Sequence, residues 1–149
     1  MKIFKQIQAL LGQVDEGVEN TIQSVNLSMA ALLCEVAAVD SVIAESEQQA
    51  KIKQLVYLLE IDSVQAKELL TQAMDKSKQA TSVYEFTSKL RDIEYDQRFV
   101  LVQAMWIVAY ADGVIDKNEE ALIRQVSDLI YITHSDFIRA KLQAKNRQI

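Results

Sequence analysis

The chain has no proline, one histidine, one cysteine and three glycines in 149 residues. Without proline nothing interrupts a long helix, and Gly12, Gly17 and Gly113 alone give little punctuation for the tight turns of a many-stranded sheet. The expectation is an all-α fold of seven to eight helices. The solitary His134 cannot build a two-histidine zinc motif. No Gly-x-Ser-x-Gly elbow is present, and glycines this sparse cannot form a phosphate-cradling loop. Catalysis would have to rest on a carboxylate pair acting as acid and base, which needs a cleft; the expectation is a protein that is not an enzyme.

The lone Cys34 has no partner for an intramolecular disulfide and sits in the apolar run Ala30-Ala31-Leu32-Leu33-Cys34, where it suits a small buried hydrophobe in a reducing, cytoplasmic compartment. No uncharged run reaches the roughly 18 residues of a membrane span, and the N-terminus lacks the features of a signal peptide. A net charge of -5 gives no footprint for a phosphate backbone, so no nucleic-acid partner is expected. The basic residues Arg139, Lys141, Lys145 and Arg147 gather where a final helix would present its partly negative end.

What is present is helical periodicity. Ile3, Phe4, Ile7, Leu10 and Leu11 mark a short amphipathic N-terminal helix, expected to pack on the body, with a connection over Gly12–Glu19; residues 1–16 thus form an appendage to a helical domain over 17–149. A long helix is expected over Val18–Val39, apolar nearly all round after Leu27, with Glu35 as its anomaly. Ile52, Leu55, Val56 and Leu59 trace the next. Asp62-Ser63-Val64-Gln65 and Ser82-Val83-Tyr84-Glu85 read as capping boxes, with a polar connection over Ser77–Thr81 between the helices they open. A helix over Glu94–Ala111 should turn Phe99, Val102, Trp106 and Ala109 or Tyr110 to one face. Asp116-Lys117-Asn118-Glu119 is the clearest box, and Thr133–Asp136 caps a last helix carrying Phe137, Ile138 and Leu142.

One pattern is written twice. Val36-Ala37, Asp40, Val42-Ile43 and Glu47 recur 72 residues later as Val108-Ala109, Asp112, Val114-Ile115 and Glu119, defining two pseudo-repeats over about 27–76 and 94–144. In the second copy Gly113 can stop the helix while Asp112, Asp116 and Glu119 gather round the bend. Three carboxylates within eight residues suit a hard cation, Ca²⁺ or Mg²⁺, better than Zn²⁺. The segment matches the second half of an EF-hand loop, but Val108 and Tyr110 stand where its first ligands belong, which argues against a true EF-hand. The alternative is purely structural: Asp112 accepts N–H groups of its own turn and Glu119 closes a cap. The first copy is poorer, with Ser41 for Gly113 and Ala44 for Asp116.

The Ala-x-x-Asp-x-x-Ile turn, taken with Met105-Trp106-Ile107-Val108-Ala109-Tyr110-Ala111-Asp112-Gly113-Val114-Ile115-Asp116, Val83-Tyr84-Glu85-Phe86-Thr87 and His134-Ser135-Asp136-Phe137-Ile138-Arg139-Ala140-Lys141, resembles the TerB-like (tellurite resistance) family from about Leu27 to Lys141. The resemblance implies a duplicated all-helical domain without established enzymatic activity, an acidic cluster proposed to hold a divalent metal, a link to tellurite and stress resistance, and protein partners in membrane-linked assemblies at the inner membrane face. Carried onto this chain, the acids are Asp40, Glu47, Asp112, Asp116 and Glu119, with Glu35 a weaker addition. Ala44 departs from the pattern and weakens a symmetric pair of sites. No organic cofactor is implied.

Overall fold

The computed structural model describes residues 16–38, 45–111 and 115–146, with backbone alone for 16–20, 38, 46 and 47. Among the described residues there are seven helices and no strand: α1 (Glu16–Ala38), α2 (Glu45–Leu59), α3 (Ser63–Gln79), α4 (Tyr84–Thr87), α5 (Tyr95–Tyr110), α6 (Lys117–Leu129) and α7 (His134–Asn146). The all-helical expectation holds. The N-terminal helix over 1–11 lies outside the described residues, whereas the expected connection ends sooner than Glu19, because α1 already runs from Glu16.

The centre of the fold is α5. Its sequence has no charge from Phe99 to its end, so it has no face suited to water. Phe99 and every residue from Leu101 to Ala109 are buried, packed by α7 on one side, α1 and α2 on others, and α6. The expected single apolar face is therefore corrected to burial all round. Gln103, buried on this helix, donates from Nε2 to Gln143 Oε1 on α7 at 2.6 Å, which satisfies a polar group that burial would otherwise penalise. The second layer is α1 laid along α3, with α2 against α3 and α5.

Local chemistry sets the helix ends. Asp62 Oδ1 accepts the Gln65 N–H at 2.8 Å while Gln65 Oε1 accepts the Asp62 N–H at 3.1 Å, a complete capping box opening α3. The box expected at Ser82 does not form. Val83 takes the position before α4 with helical backbone and no side-chain cap, and Ser82 Oγ instead accepts the Tyr84 N–H at 3.1 Å. The polar stretch after Ser77 is shorter than expected, since α3 continues to Gln79. On α7, Phe137 is buried but Leu142 is 54% exposed; Ala140 and Ala144 take the inner positions, where small side chains allow close approach to α5. Arg139 and Lys141 do not serve the helix end: they pair sideways with Asp136 at 3.1 Å and Glu120 at 2.8 Å. Arg147 lies outside the described residues.

Two helices stop on non-glycine residues with left-handed backbone, Glu60 (φ 54°) and Tyr131 (φ 60°). At the second, the Ile132 N–H reaches back to Ser127 O at 2.9 Å, the wrap that usually places glycine where Tyr131 stands.

Candidate acidic turn and its surroundings

The turn between α5 and α6 is anchored on both sides. Ala111 closes α5 with its N–H on Val108 O at 3.2 Å, and Ile115 packs half-buried against the core. Asp116 then adopts extended backbone and caps α6: its Oδ1 accepts the Asn118 N–H at 2.6 Å, and its own N–H donates to Glu119 Oε1 at 3.0 Å. Asp116 faces solvent while Glu119 is only 2% exposed, tucked beneath the first turn of α6. A carboxylate at that depth is tolerable because it sits at the positive end of the helix dipole and accepts a hydrogen bond there. Glu120, one residue on, points outward to Lys141.

The structure thus brings together Asp116 and Glu119. Asp112 and Asp40 lie outside the described residues, and Glu47 is placed by its backbone alone as the third residue of α2, as Glu119 is of α6. Ala38 and Tyr110 end helices and Glu45 and Lys117 begin them, so the 72-residue offset of the written pattern also holds at the helix boundaries. Among the described residues no three acidic, histidine or cysteine side chains converge on one point.

Glu35 has a different setting. It is half-buried on α1, and its Oε1 accepts the hydroxyl of Ser77 on α3 at 2.7 Å, beside a cavity of about 310 Å³ shared with Thr81, Ser82 and Gln125. Next to it, burial pushes the Cys34 thiol up to about 11, with the Lys51 ammonium pulling it down and Glu35 reinforcing the rise. Lys51 itself is 3% exposed on α2 and went unread in the sequence, although Lys51, Leu55 and Leu58 share the helical spacing that would have placed it inward. His134 is an exposed first-turn residue of α7, stacked 6.2 Å from Phe137. No helix among the described residues is long and apolar enough to cross a membrane.

The sequence model of the family described as Tellurite resistance protein TerB matches residues 26–142, from the middle of α1 into α7. Neither the curated proteins nor the solved structures compared with the chain gave a match.

Proposed function

This chain belongs to the tellurite resistance protein TerB family, and on that premise we propose that it is a non-catalytic helical module that holds a divalent cation at the α5–α6 turn and works through protein partners. The observation that carries the cation reading is the buried carboxylate of Glu119, held by the Asp116 N–H in the first turn of α6 and flanked in sequence by Asp112 and Asp116. The donors there are oxygens throughout, with Cys34 in the core and His134 at the start of another helix, which fits Ca²⁺ or Mg²⁺. Asp112, Asp116 and Glu119 would hold the ion, which would supply positive charge that ties the two helix ends together. Asp40 and Glu47 form the weaker counterpart, and Glu35, engaged by Ser77, contributes least.

Its setting is the cytoplasm, at assemblies on the inner face of the membrane reached through other proteins, in the service of tellurite and stress resistance. A second reading is favoured by the completeness of the Asp116–Glu119 box: the acids act only as caps, and the module is an interaction domain without metal.

Titration with Ca²⁺ and with Mg²⁺, followed by amide shifts in the wild type and in Asp112→Asn, separates the two. The cation reading expects saturable shifts centred on 112–119 in the wild type, weakened at least tenfold in the variant, about the loss of one charged ligand. Unmoved signals at millimolar metal, or equal affinity in both proteins, would leave only the capping role.

A further inference from the structure

Tyr84 and Tyr131 are exposed by 49% and 61%, and they are joined by one cation. Arg91 donates from Nη1 to the Tyr131 hydroxyl at 3.3 Å and from Nη2 to the Tyr84 hydroxyl at 3.2 Å, with its guanidinium 5.5 Å from the centre of the Tyr84 ring. The three residues come from separate segments: the start of α4, the connection before α5, and the connection between α6 and α7.

The hydrogen-bond directions set what this group can do. Each phenolic oxygen accepts a guanidinium N–H, so each hydroxyl hydrogen must turn away from the cation, polarised by it. The result is two O–H donors flanking a positive charge, a set complementary to an oxyanion. Among the described residues Arg91 has no carboxylate partner, whereas Arg139 and Lys141 on α7 each have one. The phenols are uncharged, so the guanidinium keeps its full positive charge beside them.

Backbone geometry adds an independent observation. Tyr131 holds φ 60°, where a Cβ is disfavoured and glycine is the ordinary choice. A bulky aromatic kept there with most of its surface in water gains little from packing, and strain retained at an exposed side chain points to a use for that side chain. Tyrosine and arginine together are also the side chains that dominate binding at protein interfaces.

We propose that Tyr84, Arg91 and Tyr131 form a recognition site for an acidic segment of a protein partner, the carboxylate taken by the hydroxyls and guanidinium and the neighbouring apolar side chains by the exposed ring faces. The two rings favour a peptide over a free anion, which would leave them in water. This deepens the partner-binding half of the function proposed above and is separate from the acidic turn, so its failure leaves the metal titration unaffected.

The test uses the full ¹⁵N-labelled chain and a blocked Leu-Asp-Glu-Leu peptide, with the Leu-Asn-Gln-Leu peptide and inorganic phosphate as comparison arms. The expected result is shifts at Tyr84, Arg91 and Tyr131 with the acidic peptide alone. Tyr84→Phe and Tyr131→Phe, which keep ring and backbone, should each weaken binding roughly tenfold, the scale of one charge-assisted hydrogen bond, and Arg91→Gln should abolish it with the melting temperature preserved. Equal binding of the amide peptide, equal affinity in the Phe variants, or the same shifts from phosphate at lower concentration would overturn the proposal. So would concentration-dependent self-association lost in Arg91→Gln, which would make the occupant a second copy of the chain.

Discussion

Replacing Glu119 by Gln separates a cap from a metal ligand within one side chain. The amide oxygen still accepts the Asp116 N–H now held at 3.0 Å, so the capping box survives. What goes is the negative charge in the first turn of α6, worth about 0.3–1 kcal/mol against the helix dipole, and its loss is offset by no longer burying a charge on a residue 2% exposed. In the presence of a chelator the two proteins should therefore differ by about 1 kcal/mol or less, a melting shift of about 2–4 °C for a chain of this size. Metal changes the comparison. At a free concentration of about 100 times Kd a bound cation stabilises the wild type by about 2.7 kcal/mol, or about 5–10 °C, while the variant, short of a charged oxygen ligand, gains little. Thermal melts by circular dichroism with chelator and with millimolar Ca²⁺ or Mg²⁺, at fixed ionic strength, read both differences. Equal metal-dependent shifts in the two proteins, or none in either, would refute the role assigned to Glu119.

Phe137 is 2% exposed, lies 5.3 Å from the Trp106 ring and carries the Arg124 guanidinium 4.8 Å away, so Phe137→Ala should cost about 3–5 kcal/mol in urea unfolding; a loss under about 1 kcal/mol would mean the site collapses to fill the cavity. Cys34, buried with its thiol pushed up to about 11, should resist a thiol reagent at mildly alkaline pH until the protein unfolds, and prompt reaction in the native state would contradict the packing of α1. Asp136 titrates below its ordinary 3.8 because the Tyr95 hydroxyl donates to it at 2.6 Å, opposed by desolvation and assisted by Arg139. A depressed carboxylate contributes stability that is complete above its unfolded value and lost as pH falls through the folded one. Tyr95→Phe should therefore lower stability near neutral pH and flatten its loss in acid; an unchanged acid limb would show that the hydroxyl does not set that titration.

Capping was legible wherever its partners lie within one turn of chain. Asp62 with Gln65 and Asp116 with Glu119 need only residues three apart, and both boxes form as read. Ser82 satisfies the same spacing but fails, because four residues of helix give the box little to hold and the hydroxyl takes a nearer N–H. Side-chain partners from remote segments left no such trace: Glu35 meets Ser77 42 residues away, Arg98 gives Nη1 to Ile130 O at 2.7 Å, and Tyr95 reaches Asp136 41 residues on. Lys51 was readable by spacing, yet its burial beside Cys34 depends on how α2 meets α1.

Composition and periodicity by themselves determined that this chain is helical and where most helices begin, since both follow from backbone sterics and hydrogen bonds among near neighbours, and one acid-bearing pattern is written twice 72 residues apart. Only the tertiary structure decided that α5 is enclosed on every side, that Leu142 faces water while Ala140 and Ala144 turn inward, and that Tyr84, Arg91 and Tyr131 meet. Those outcomes depend on which helix surfaces exclude water from one another, and many packings of the same amphipathic segments bury similar area, so the choice among them is made by fit between distant residues.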